Sequence, residues 1–368
     1  MKRVTVKPSW VVENEEGAEL GPELFAMLDA LKRAGKLTEA AVKVGVSYRH
    51  AWNQLNDWNS FFGLPLVMLE RGKGASLTAL GEKLLWAEQR FNARVGLQLE
   101  SLASELNLEI NRLVASAASS LRIHASHGFA VARLNDLLEA HSDVQLDLRY
   151  LGSVESLASL SRGECDLAGF HMPEGKLGAR ALDQYARWLH PDRQRLIHLV
   201  TRTQGLFVAR GNPKRILRVA DLARPDVTFI NRQKEAGTRL LFDELLKDAK
   251  VDRAAIHGYQ NEEFTHAAVA AYVASGMADA AFGVEPAAHQ FRLDFVPLAT
   301  ERYFLLTSLL GLERMEVAKL VELLRSEAFQ TIAATLPGYT APLAGQVVTI
   351  NEAFPELKDN KPRLRIAR

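Results

Sequence analysis

The chain has 368 residues, 48% of them hydrophobic and 24% charged, with 45 basic side chains against 44 acidic ones. That length is too great for one ordinary core and suits two or three domains, while the near-neutral balance by itself says nothing about nucleic acid. No run of about eighteen apolar residues marks a membrane span, MKRVTVKPSWVVENEEG lacks the apolar stretch of a secretory signal, and a single Cys165 excludes an internal disulfide framework. A cytoplasmic protein without a membrane partner is the expectation.

In chain order, Leu24, Phe25, Leu28 and Leu31 recur at helical spacing, so Pro22 to Ala34 reads as a helix stopped by Gly35. A short helix from Leu37 to Val44 follows, and Gly45 supplies a tight turn. Ser47 stands where a cap belongs for a longer helix to Phe62, whose buried stripe is Ala51, Leu55 and Trp58. Leu66 to Leu69 reads as a strand, Arg71-Gly72-Lys73-Gly74 as a hairpin tip, and Ala75 to Leu77 as the return strand. Thr78 opens a long helix to about Leu108.

The face of the 47–62 helix opposite its apolar stripe carries Tyr48, Arg49, His50, Trp52, Asn53 and Asn56, bordered by Ser47. Arg and Asn make bidentate contacts to guanine and adenine edges in a major groove, and Arg71 and Lys73 on a hairpin tip suit phosphate or minor-groove contact. Between Lys32 and Arg94 ten basic residues face five acidic ones, so the local charge favours a polyanion. A helical hairpin with a solvated polar face is the plain alternative. The stretches AAVKVGVSYRHAWNQLNDWNSFFGLPLV and ERGKGASLTALGEKLL resemble the N-terminal domain of the ModE family of molybdate-responsive regulators and, more distantly, LysR-type regulators. The resemblance implies an all-α winged helix-turn-helix on double-stranded DNA, with SYRHAW in the major groove, RGKG as the wing, and a long dimerisation helix from LTALG. It therefore implies a homodimer, or a tetramer of paired dimers, on an inverted repeat.

From Leu121 strands and helices alternate. LRIHAS, VQLDLRYL, CDLAGFHM, VTFIN and ADAAFGV read as strands, with IHLV and GLFVAR as two further apolar runs. Phe129–Ala140, Val154–Arg162, Thr238–Lys247, Phe264–Ser275 and the segment from Glu316 to Thr335 read as helical, with another helix starting at Val219. Such alternation predicts a parallel sheet covered on both faces. The organisation is then a DNA-binding domain over 1–77, a dimerisation helix over 78–114, a sensing domain over 115–350 and a basic tail over 351–368.

ModE proteins continue into small barrel domains, and this sequence does not, so that family's ligand site has no counterpart here. Residues 120–340 instead resemble the α/β two-lobed, type 2 periplasmic-binding-protein-like domain found behind ModE-type heads, most specifically in NRQ-x-x-x-GTR and THxxVAxxVASGxAD. Such a fold receives a ligand at loops after strands and at helix N-termini, where backbone N–H groups favour an anion. The candidates are Ser126 and His127, Ser153, His171, Asn231, Thr238 and Arg239, Thr265, and Glu285. Each has a structural alternative: serines cap helices, Asn231 satisfies a turn, and Arg239 pairs with Asp243 four residues on. The resemblance points to molybdate, tungstate or a molybdenum-cofactor-related molecule as effector, with a formate-pathway anion as the alternative. Walker A, G-x-S-x-G and H-E-x-x-H patterns are absent. The reading is a binding protein without cofactor or metal, against the alternatives of an enzyme or a transport-type binding protein with a helical extension.

Overall fold

The computed structural model describes residues 4–70, 74–114, 119–234 and 236–355. Its contacts divide the chain into two units, Lys7–Gly96 and a second that joins the residues before Lys7 to those from Leu97 onward. Arg71, Lys73 and the basic tail from residue 356 lie outside the described residues.

In the first unit, the two-residue strands β1 (Val12–Glu13) and β2 (Glu19–Leu20) pair antiparallel. Helices α1 (Pro22–Ala34), α2 (Leu37–Val44) and α3 (Tyr48–Phe62) each end at a glycine in the left-handed region, a conformation that costs a side chain most. Strands β3 (Val67–Glu70) and β4 (Gly74–Leu77) form the hairpin. The core joins Leu24, Leu28 and Leu31 of α1, Ala40 and Ala41 of α2, and Ala51, Leu55 and Trp58 of α3 to Leu66 and Leu77. Three alanines at the contacts let the helices cross closely. The hairpin is tied to the helices by backbone, since Ala75 N donates to Gly35 O at 2.7 Å. Thr78 ties its base to the next helix: its hydroxyl donates to Pro65 O at 2.8 Å and accepts from Gly81 N at 3.2 Å.

Helix α4 (Ala79–Val114) runs through 36 residues. The second unit continues with β5 (Ser120–Ala125), α5 (Phe129–Ala132), α6 (Leu134–His141), β6 (Gln145–Tyr150), α7 (Ser153–Ser161), β7 (Leu167–Pro173), α8 (Lys176–Tyr185) and β8 (Gln194–Val208). After these come β9 (Phe229–Arg232), α9 (Gly237–Asp248), β10 (Glu262–Glu263), α10 (His266–Ala274), β11 (Ala280–Val284), α11 (Glu285–Gln290) and β12 (Asp294–Ser308). The chain closes with α12 (Leu309–Leu312), α13 (Met315–Arg325), α14 (Glu327–Ala334), β13 (Tyr339–Thr340), β14 (Val347–Val348) and α15 (Ile350–Ala353).

One sheet runs β10-β9-β11-β8-β12-β7-β5-β6. The parallel sheet expected from the alternation is only half right. β5, β6 and β7 are parallel to one another, as are β9, β10 and β11, but β8 and β12 run antiparallel to each other and to the strands beside them. These two fifteen-residue strands pass through both halves, so the sheet carries two lobes with separate cores. IHLV and GLFVAR are therefore parts of one strand, and β12 has no counterpart in the sequence reading. The helix expected over 129–140 is broken at Arg133, and the one expected at Val219 is a single 3-10 turn, Val219–Ala223.

The outer edge of β6 is covered by α4. Ser104 Oγ accepts from Leu148 N at 2.8 Å and donates to Leu146 O at 3.3 Å, and Ser101 Oγ accepts from Tyr150 N at 3.1 Å.

A Cβ placed on Gly81 would stand 2.2 Å from Leu66 O, backbone that has no room to yield. Gly81→Ala should therefore destabilise the first unit by about 2 kcal/mol, in spite of the better helix propensity of alanine. Four of the five tryptophans, Trp10, Trp52, Trp58 and Trp86, lie in that unit. Their fluorescence in urea-unfolding curves of the full chain reports the change, and an unchanged midpoint would show the contact to be slack.

Candidate functional site

Two places in the molecule gather polar side chains that the fold itself does not consume. The first is the outer face of α3. Ala51, Leu55 and Trp58 are at most 3% exposed and hold the helix to its core. Tyr48, Arg49, His50, Trp52, Asn53 and Asn56 are exposed on the other side. Tyr48 and Trp52 are 50% and 41% exposed, with their rings stacked 6.4 Å apart. Such rings in water are costly on a surface without a partner. Ser47 is occupied locally, its hydroxyl accepting from His50 N at 3.2 Å.

The second place is where β8 and β12 pass from lobe to lobe. Arg202 and Glu301 are directly opposed in the antiparallel register, 1% and 0% exposed. Arg202 Nε donates to Glu301 Oε2 at 3.0 Å, and Gln204 Nε2 donates to the same oxygen at 2.5 Å. A register shift between Pro297 and Ala299 bends β12 at this crossing. Around the pair stand residues from both lobes. Ser126, just after β5, meets His171 Nδ1 at 3.0 Å and the Tyr303 hydroxyl at 3.1 Å. Arg202 lies over the Tyr303 ring at 5.9 Å. From the other lobe, Arg232 ends β9 and His266 opens α10. His171 spans the gap: a Cβ on Gly237, the first residue of α9, would come 2.5 Å from its Nε2, so glycine is needed for this approach.

Arg232 is 9% exposed and makes one hydrogen bond, from Nη2 to Phe264 O at 2.8 Å. Its Nε and Nη1 are buried without a partner, and no carboxylate among the described residues pairs with it. Burial, and then the charge of Arg202, pull its pKa down to about 9. Burial works against the charge of Arg202 too, but Glu301 holds its pKa above the usual value. Burial would likewise raise Glu301, yet the charge of Arg202 and the bonds from Gln204 and Arg202 favour its ionised form and the net shift is downward. Glu301 is thus taken up by Arg202, and Arg232 is left without a carboxylate. An uncompensated buried cation costs several kcal/mol, and an anion between the lobes is what would offset it.

The remaining predicted residues divide. His127 is half-buried, with its ring edge-on to Phe129 and Tyr150, and it couples electrostatically to both arginines. Ser153 is buried at the first position of α7, beside Tyr185. Thr265 caps α10 through Ala268 N at 3.0 Å. Asn231 is occupied by its own turn, with Nδ2 donating to Tyr259 O and Oδ1 accepting from Arg232 N. Thr238 is buried in the first turn of α9. Arg239 takes the alternative considered for it: it pairs with Asp243 at 3.3 Å and Glu262 at 3.4 Å, bonds Arg232 O at 3.0 Å, and lies over Tyr259. It props the loop that carries Arg232. Glu285 opens α11 and packs on the Gly338 turn, 3.6 Å from His289. Arg202, Gln204, Glu301 and Tyr303 were missed, although TRTQ and TER interrupt apolar runs.

Comparison with known proteins follows the same division. Residues 22–82 match the family of bacterial regulatory helix-turn-helix proteins, lysR family, and residues 134–325 match the PBP superfamily domain. The chain thus joins a segment similar to the lysR-family helix-turn-helix to a PBP-like domain. It belongs to the PBP superfamily domain family, whose model spans just over half of it. It is 36% identical over 200 residues to the uncharacterized protein YvgK of Bacillus subtilis, covering 54% of this chain and 64% of that protein. It is 36% identical over 124 residues to the molybdenum-pterin-binding protein MopB of Rhodobacter capsulatus, covering 33% and 45%. With the transcriptional dual regulator ModE of Escherichia coli it shares 28% over 138 residues, covering 34% and 51%. The chain thus spans less than two thirds of each of these relatives. Among solved structures, a Corynebacterium glutamicum OxyR mutant with H2O2 bound aligns at TM-score 0.45 and 15% identity, over 85% of this chain and 93% of that one.

The buried imidazoles make stability depend on pH. Burial, reinforced by the arginines and opposed at His171 by Glu301, lowers His127 to about 3 and His171 to about 4, and takes His266 well below 6.5. Unfolded, all three take up protons near 6.5; folded, they do so only far below it. The unfolded chain therefore binds more protons between these limits, and stability falls as pH drops below about 6.5. The thermal midpoint should be level from pH 8 to 7 and decline steadily from 6.5 to 5. His171→Gln should make that decline shallower. A midpoint that stays level to pH 5 would contradict the burial of these rings.

Proposed function

We propose that the protein is a ligand-responsive transcriptional regulator of the cytoplasm. In this reading a homodimer binds an inverted-repeat operator with α3 in the major groove. An anionic effector of the molybdate, tungstate or molybdenum-cofactor class binds between the lobes of the second unit. The observation that carries the DNA half is the open face of α3, where Arg49 and Asn53 project from a helix anchored by Ala51, Leu55 and Trp58. The match to a lysR-family helix-turn-helix and the names of the ModE and MopB relatives support it. Arg232, buried without a counter-charge, carries the effector half. No helix among the described residues is long and apolar enough to cross a membrane. The reading assigns no catalytic step to either unit.

The DNA half is tested by selecting a duplex from a random pool with the full chain, then comparing it with scrambled DNA. Arg49→Ala should weaken the selected duplex by about 1–3 kcal/mol and leave scrambled DNA nearly unaffected. Equal losses on both would remove α3 from base reading. The effector half is tested by thermal shift of the full chain with a panel of oxyanions and pterins. Arg232→Gln should leave the unliganded protein as stable or more so, because a buried unpaired charge is gone, and should abolish the stabilisation by any anion that binds the native chain. Anion stabilisation that survives the substitution would place the ligand elsewhere.

A further inference from the structure

The cleft leaves unmet hydrogen-bonding atoms of two kinds, and this restricts the effector more closely than its charge does. On the donor side are Arg202 Nη1 and Arg232 Nε and Nη1. On the acceptor side are Glu301 Oε1 and Gln204 Oε1, both in side chains that are 0% exposed. The roles of these oxygens are fixed by their neighbours. Gln204 Nε2 is committed to Glu301 Oε2, so the other end of the amide is the acceptor. Glu301 Oε2 already receives Arg202 and Gln204, which leaves Oε1 as the outward lone-pair face of an ionised carboxylate. Glu301 also lines a cavity of about 30 Å³ with His171, Tyr185 and Gly237, room for a water beside the carboxylate.

A fully deprotonated oxyanion has only acceptors. It would satisfy the guanidiniums and then confront the two leftover acceptor oxygens with no proton between them, at a like-charge cost that low-dielectric surroundings enlarge. We propose that the effector carries a hydrogen-bond donor beside its negative charge, and that Glu301, with Gln204 at its side, receives that donor. This rests on the anion site of the proposed function and, of the effectors named there, keeps the molybdenum-cofactor-related class and removes molybdate and tungstate. The ligand class is an anion with an O–H, such as hydrogen phosphate, or an anionic heterocycle with ring N–H groups. Molybdate, tungstate and sulfate, which bear no proton at neutral pH, fall outside it.

The test is isothermal titration of the full chain at pH 7 with inorganic phosphate, sulfate, molybdate and pterin-6-carboxylate. Phosphate and sulfate match in shape and size but differ in the O–H; pterin-6-carboxylate places its donors on the ring instead. Phosphate or the pterin should bind at least about 100-fold more tightly than sulfate and molybdate, and which of the two does so identifies the donor. Glu301→Gln, whose amide donates as well as accepts, should bring phosphate and sulfate to within about tenfold of one another. Should that variant fail to fold without its carboxylate, the ratio in the native chain decides. Sulfate or molybdate binding as tightly as phosphate and the pterin would overturn the donor requirement and leave the anion reading standing. Binding of none of the four would overturn both.

Discussion

Everything that distinguishes the second unit turns on an ion pair placed where two strands change lobes. Arg202 and Glu301 face each other across β8 and β12, where the hydrogen-bonded ladder passes from one core to the other. On either side of the crossing these strands supply apolar side chains to the separate cores, Leu196, Leu199 and Leu305 to one lobe and Leu206, Phe207 and Val208 to the other. At the crossing a fully buried charged pair, bonded by Gln204, stands in place of apolar residues. A buried pair of this kind is weak evidence for stability, since packed apolar residues often do as well. Its persistence in the middle of the longest strands makes better sense as a platform that holds charge at a fixed point between two bodies.

Charge at that point is not balanced, and the imbalance organises the surrounding chemistry. Three imidazoles are kept neutral by burial and by the arginines, so they offer directional hydrogen bonds without adding to the repulsion. Arg239, which lies outside this group, is fully compensated by Asp243 and Glu262, and it fixes the loop from which Arg232 projects. One arginine is thus structural and the other uncompensated, although they lie seven residues apart on the same turn. The difference comes from acidic neighbours, not from exposure, because both are buried.

Much of this architecture was legible in the sequence, and the misses share one cause. Periodicity and glycine punctuation located α1, α2 and α3 to the residue, because each helix packs one stripe and stops at a glycine. The same rules singled out Ser126 and His171, which the structure brings within 3.0 Å of one another. They failed where a strand is polar in its middle. TRTQ divides IHLV from GLFV, and TER interrupts the strand beginning DFVPLA, so alternation rules saw two short runs in one case and nothing in the other. A polar break inside an apolar run ordinarily signals a turn; here it marks the charged crossing itself. Arg239 illustrates the complementary limit. An arginine at a helix start looks alike whether it meets a ligand or an aspartate one turn on, and only the tertiary surroundings separate the two.

The serine hydroxyls of α4 along β6 have a consequence for how the protein behaves at high concentration. The strand order from β10 to β6 has two ends to which a foreign strand could add. On one border, Ser101 and Ser104 occupy the outward amide and carbonyl groups of β6 that such a strand would need. On the other, β10 is only two residues long, too short a template to hold an incoming chain. Both ends of that strand order are thus poor templates for cross-chain pairing, one by its serine hydroxyls and the other by its length.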